Sequence, residues 1–170
     1  AMESPVKFNS TFVRDEKVKV LEAVRPMKGG DFASCGVRGQ YEGYCQEEGV
    51  AKDSQTETFA ALKLQVDNWR WNGVPFYLRS GKALSCRTTQ IVIEFKEAPH
   101  LVFRGGRHSR PPANRLVIQI QPAEGIQIHF QSKVPDQGMT LRTSELDFRF
   151  DSGDGKEMPD AYQRLLHDVM

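Results

Sequence analysis

The residues of this chain most able to do chemistry lie in Gly81-Lys82-Ala83-Leu84-Ser85-Cys86-Arg87. Two cations follow an apolar run, and Gly81 at the junction permits close backbone approach. Converging at a strand end, Lys82 and Arg87 suit a dianionic phosphate, each charge-assisted contact contributing roughly 1.5–3 kcal/mol. Spacing alone favours a plainer reading, in which both are solvated surface cations. Gln121 ends the run Leu116 to Ile120, just before Pro122. An amide there can hydrogen-bond a sugar hydroxyl, although a strand-terminal glutamine is more often simply exposed.

Other polar clusters carry less. Arg104-Gly105-Gly106-Arg107-His108-Ser109-Arg110 is the densest positive segment. It is short and without interleaved aromatics, so a solvated loop is favoured over a nucleic-acid contact. His100, His108, His129 and His167 show no metal-ligand spacing, and no metal is expected. Trp69 and Trp71 flank a strand break and read as packing residues before they read as sugar-stacking ones. No Gly-x-Gly-x-x-Gly follows an apolar strand, and no Ser/His/Asp or Cys/His set stands out. No catalytic residue is therefore assigned.

The elements that must position these residues belong to an ordinary globular chain. Its 170 residues are 39% hydrophobic and 26% charged, with a formal net charge of +1. That balance gives no reason to expect a nucleic-acid or membrane partner. Nothing approaches the ~18 consecutive apolar residues of a membrane span. Three unpaired-looking cysteines, Cys35, Cys45 and Cys86, fit a reducing compartment, with the cytoplasm as the default. Residues 1–13, opening with Ala1-Met2, read as a tag, leader or linker, and residues 14–170 as one domain.

Periodicity predicts a helix over Arg14 to Val24 and a long loop from Gly29 to Gln55. Between Thr58 and Asp67, Leu62, Leu64 and Val66 alternate with Lys63, Gln65 and Asp67, which favours a strand over the competing helix. Further strands are expected at Val74–Leu78, Gln90–Phe95, Arg115–Gln121, Ile126–Ser132 and Met139–Phe150. Ala123-Glu124-Gly125 reads as a hairpin connection. Pro159 to Met170 has helical spacing. Strand runs with helices set apart give an α+β class, a large and mostly antiparallel sheet with flanking helices.

Several segments, in order, resemble the C-terminal domain of the glucose-6-phosphate dehydrogenase family. They are Arg14–Leu21, Val37-Arg38-Gly39-Gln40-Tyr41, Asp53–Ala61, the long block Asn68–Leu84, Asn114–Pro122, Glu145-Leu146-Asp147-Phe148 and Pro159–Leu166. The resemblance implies that Lys82, Arg87 and Gln121 contact glucose 6-phosphate and that the sheet forms a homodimer surface. It implies NADP as the coenzyme, bound by a domain that precedes this one in the family. The family's histidine general base also lies upstream, and its C-terminal domain runs on past the point matching Met170. On that reading the isolated chain is inactive. Some members hold a second, structural NADP here. Arg79 and Asp147 match positions used for it, but Thr88, Gln119, Gln127 and His129 replace its Arg, Tyr or Lys residues, so none is expected. The alternative of a different class is a non-enzymatic assembly or binding module that kept the sheet.

Overall fold

Asn9 starts the first helix by accepting a hydrogen bond from the Phe12 N–H on its side-chain Oδ1 at 3.0 Å, satisfying one of the free donors of the first turn. The helix α1 runs Ser10–Glu22, beginning four residues before the expected Arg14. The acids Asp15 and Glu16 therefore lie inside it, and Glu16 pairs with Lys19 at 2.6 Å. The computed structural model describes residues 1–27, 32–97, 111–137 and 140–150. The expected helix over 159–170 and the basic segment 104–110 fall outside the described residues.

The chain divides into two units, Ala1–Ser85 and Cys86–Met170. In the first, the alternating segment is a strand, β2 (Phe59–Gln65), as its period of two requires. It lies between β1 (Gly36–Gly39) and β3 (Pro75–Gly81) in an antiparallel three-stranded sheet. The expected loop from Gly29 to Gln55 is corrected here: it contains β1, the short helix α2 (Phe32–Cys35) and a 3₁₀ turn at Tyr44–Gln46. Gly36-Val37-Arg38-Gly39 is too short and too glycine-rich to show alternation. Its extended state comes from pairing with Phe59–Leu62.

The exit of α1 is joined to the end of β2. Val24 bridges Val66, the most buried hydrophobic described, at 4% exposure. The Asp67 N–H donates to the Ala23 carbonyl at 2.7 Å, and the Arg25 N–H to the Gln65 carbonyl at 2.9 Å. The Arg25 guanidinium closes the junction with a bidentate pair on Asp67, Nε to Oδ2 at 2.9 Å and Nη2 to Oδ1 at 2.8 Å. Those hydrogen bonds, with the Arg25 charge, hold the Asp67 carboxyl below its ordinary 3.8. A carboxyl lowered on folding adds stability that is fully present above the unfolded value and lost as pH falls through the folded one. Asp67→Asn is therefore expected to lower stability at neutral pH and to flatten the loss below about pH 4. Urea midpoints measured from pH 7 to pH 2 check this, and parallel profiles for the two proteins would exclude it.

Near the other end of β3, Trp71 packs edge-on against Phe76, with ring centroids 5.3 Å apart, and its Nε1–H donates to the Ala1 carbonyl at 2.7 Å. Arg70 pairs with Glu3 at 2.6 Å. Residues at the very start of the chain are thus bound to the turn before β3, while Trp69 is fully exposed.

The second unit holds an antiparallel four-stranded sheet in the order β4 (Thr89–Glu94), β5 (Arg115–Gln121), β6 (Gly125–Lys133) and β7 (Leu141–Arg149). The Ala123-Glu124-Gly125 hairpin forms between β5 and β6. A Cβ on Gly125 would sit 2.9 Å from the Phe148 carbonyl oxygen, so β6 and β7 approach too closely there for a side chain. Among the described residues all strand pairing is antiparallel, divided between the two sheets, and with the few helices there the class is α+β.

Register places Ile91, Ile118, Ile126 and Phe148 in one row across the sheet, and Ile93, Leu116, Ile128 and Leu146 in the next row of the same face. Ile91 and Phe148 are 49% and 59% exposed, Ile93 and Leu146 40% and 60%. On the opposite face Val117 is buried, at 8%.

Candidate functional site

Lys82 is placed by its neighbours' backbones. Gly81 lies opposite Phe59, and a Cβ on it would come within 2.9 Å of Phe59 Cδ2 and 3.3 Å of the Thr58 carbonyl oxygen. The absence of a side chain lets the chain turn against Thr58, whose carbonyl accepts the Lys82 N–H at 2.8 Å. Thr58 is itself buried and held twice more. Its N–H donates to the Gly39 carbonyl at 2.9 Å, and its Oγ1 accepts the Tyr41 N–H at 2.9 Å. Ala83 then takes a left-handed conformation, φ 51°. An alanine there is strained, and such residues concentrate at ligand clamps and turns held by their surroundings. The Lys82 side chain follows this fixed backbone into an exposed position.

Arg87 and Gln121 belong to the second unit and Lys82 to the first. Within the second unit the structure brings Arg87 and Gln121 to one end of the sheet. Thr89, two residues after Arg87, lies opposite Gln121 in the β4–β5 ladder. The Gln121 carbonyl accepts from Thr88 Oγ1 at 3.1 Å and from Gln119 Nε2 at 2.5 Å. Arg87 and Gln121 are both exposed. Four of the positions compared above with a structural nucleotide site have side-chain partners within the second unit. Thr88 and Gln119 bond each other, Asp147 pairs with Arg149 at 3.2 Å, and His129 faces Glu145 at 3.7 Å.

Among the described residues no group of three or more His, Cys, Asp or Glu is arranged to hold a metal ion, and no helix is long and apolar enough to cross a membrane. The three cysteines are free.

Lys82 on its fixed turn in the first unit, and Arg87 with Gln121 at a sheet end in the second, each present exposed polar groups able to meet an anionic polar ligand. A profile of the glucose-6-phosphate dehydrogenase C-terminal domain matches residues 1–170, the whole chain. The chain belongs to that family. It is 44% identical to glucose-6-phosphate 1-dehydrogenase of Aggregatibacter actinomycetemcomitans over 180 aligned residues, covering 100% of this chain and 36% of that protein. With the enzyme of Bacillus subtilis (strain 168) the identity is 41%, covering 100% of the chain and 37% of the relative. Among solved structures, glucose-6-phosphate 1-dehydrogenase from Mycobacterium avium superposes with a TM-score of 0.79 at 36% identity, covering 99% of this chain and 34% of that one. A glucose-6-phosphate dehydrogenase in complex with its substrate glucose 6-phosphate gives 0.77 at 37% identity, covering 99% and 35%. The chain thus spans about a third of the length of the relatives it matches.

Nothing in the sequence around Thr58 marks it as the anchor of the Lys82 turn. A threonine in a polar run carries no sign that three backbone partners will converge on it. Ala83 gave no signal either, because alanine is not a residue that advertises positive φ.

Proposed function

We propose that this chain supplies part of the sugar-phosphate site and the dimer surface of an NADP-dependent glucose-6-phosphate dehydrogenase. The reaction is oxidation of glucose 6-phosphate to 6-phosphogluconolactone, in the cytoplasmic pentose phosphate pathway. The observation that most supports it is the sheet end where Arg87 and Gln121 lie together, in a fold shared with a dehydrogenase solved in complex with glucose 6-phosphate.

In this reading Lys82 and Arg87 bind substrate through charge-assisted hydrogen bonds, and the Gln121 amide bonds a sugar hydroxyl. NADP, held by a separate domain, accepts the hydride when bound. Removal of the hydroxyl proton needs a general base, and the residues described around Lys82, Arg87 and Gln121 offer none. This chain's residues bind and orient the sugar phosphate, and proton abstraction belongs to the coenzyme-bearing part of the enzyme. The sheet face carrying Ile91, Ile93, Leu146 and Phe148 suits a second copy of the chain.

The test is NADP reduction with glucose 6-phosphate, on the isolated chain and on a polypeptide that joins it to a coenzyme domain of a relative such as the Bacillus subtilis enzyme. We expect no turnover from the isolated chain and clear turnover from the joined one. Turnover by the isolated chain would place the base within these 170 residues and overturn the division of labour. A folded joined protein without activity would favour a non-enzymatic binding module.

A further inference from the structure

We propose that Thr88 and Gln119 are positioning residues that fix Gln121, and with it the reach to Arg87, for binding a sugar phosphate. The inference rests on the reading of Arg87 and Gln121 as substrate contacts.

A closed hydrogen-bond triangle carries it first. Gln119 Nε2 donates to Thr88 Oγ1 at 2.6 Å and to the Gln121 carbonyl at 2.5 Å. The Thr88 hydroxyl, having accepted one proton, donates its own to the same carbonyl at 3.1 Å. One amide group and one hydroxyl therefore tie the residue entering β4 to the residue leaving β5. A hydroxyl is required at position 88 because the group must accept and donate at once.

The second observation is a slip in the ladder. Gln90 lies opposite Gln119 and Ile91 opposite Ile118, so an unbroken register would set Ile120 against Thr89. Instead Gln121 stands there, and Ile120 has no partner on β4. Bulges of this kind end pairing and re-aim side chains, and they occur disproportionately beside active sites. Here the slip exchanges an apolar residue for an amide at the sheet end. The triangle spans that slip, with Gln119 on its regular side and Thr88 and Gln121 on the other. It is what holds the irregular register against reverting by one residue.

Position, not stability, is what this arrangement secures. Hydrogen bonds among exposed groups at a strand end contribute little to folding. A displacement of about 1 Å at a group contacting substrate can cost far more in kcat/KM, and for a binding contact the loss falls mainly on KM. Arg87 is bonded directly to Thr88, so fixing Thr88 also limits where the Arg87 backbone can go.

The test is steady-state kinetics with glucose 6-phosphate on the joined dehydrogenase, for Thr88→Val, Thr88→Ser, Gln119→Met, Gln121→Ala and the double variant Thr88→Val/Gln121→Ala. Valine keeps the branched shape and methionine nearly the volume, so neither change opens a cavity, and two independent variants guard against one misfolding. We expect Thr88→Val and Gln119→Met each to raise KM about three- to tenfold, the worth of one net hydrogen bond, with the smaller part of the loss in kcat. Thr88→Ser, which keeps the hydroxyl, should return KM to within about twofold of the parent. In the Gln121→Ala background the valine should add less than it does alone, because the carbonyl that Thr88 holds then carries no amide to place and only its restraint on Arg87 is left to lose. Fully multiplicative effects in the double variant, or a parental KM in both Thr88→Val and Gln119→Met while Gln121→Ala raises it, would overturn the positioning role and leave the substrate reading standing. A parental KM in Gln121→Ala would overturn both.

Discussion

Replacing Lys82 by alanine in a catalytically complete dehydrogenase that carries this domain is expected to raise the KM for glucose 6-phosphate by roughly ten- to a hundredfold, the worth of one charged hydrogen bond of about 1.5–3 kcal/mol. The size of the effect follows from how the lysine is held. Its backbone N–H is bonded to Thr58, a buried residue with two further backbone partners, so the ammonium is delivered by a turn that does not need to be ordered on binding. Preorganisation of this kind spares the ordering cost that usually erodes an exposed charge's contribution. The phosphate is remote from the carbon that loses hydride, so the loss should fall on KM more than on kcat. Lys82→Arg should recover only part of the affinity. The guanidinium is longer and planar, so its charge does not fall where the lysine ammonium stands. Steady-state kinetics with glucose 6-phosphate varied at saturating NADP measure this. An unchanged KM in Lys82→Ala would remove Lys82 from the site.

What could be read from the sequence followed from local periodicity. Leu62, Leu64 and Val66 alternate with polar neighbours, and that pattern alone separated strand from helix across a segment rich in helix formers. β5 is predicted at Arg115–Gln121 and is found there, because Leu116, Val117, Ile118 and Ile120 make a mostly β-branched run bounded by Asn114 and Pro122. The failures were non-local. β1 exists only as a partner of β2, and four residues with two glycines cannot announce that. Periodicity from Arg14 misses the true start of α1, which is set by a single side-chain bond, the cap that Asn9 makes to the Phe12 N–H. Lys82, Arg87 and Gln121 were visible as residue types, and the family resemblance raised them above ordinary surface groups. The devices around them were not visible. The Thr58 junction, the left-handed Ala83 and the slip that brings Gln121 opposite Thr89 each depend on residues that are distant in sequence or that use backbone atoms any residue has. In the sequence, Thr88 and Gln119 stand out only as neutral residues where the resemblance places cations for a second nucleotide. Their neutral side chains are suited to bonding each other and a carbonyl.

The largest expected effect lies on the four-stranded sheet. Ile91, Ile93, Leu116, Ile118, Ile126, Ile128, Leu146 and Phe148 share one face by register. Phe148 and Leu146 are more than half exposed, 59% and 60%. If a second copy covers this face, a two-fold interface meets each substitution twice. Removing one well-buried aromatic side chain forfeits about 1.5–3 kcal/mol, so the pair of copies loses at least about 3 kcal/mol, and a glutamate adds the cost of desolvating a charge. Phe148→Glu is therefore expected to weaken self-association by a factor of at least about a hundred. Gln127→Lys is the matched control. Gln127 sits on the opposite face with Asp147 directly across, so the new charge gains a partner and leaves the apolar rows intact. Sedimentation equilibrium on both variants, each shown by circular dichroism to keep its strand content, separates the outcomes. A dimer that survives in Phe148→Glu but is lost in Gln127→Lys would move the interface to the other face. A parent protein that remains monomeric at high concentration would leave the apolar rows to a different partner and remove self-association from the proposed function.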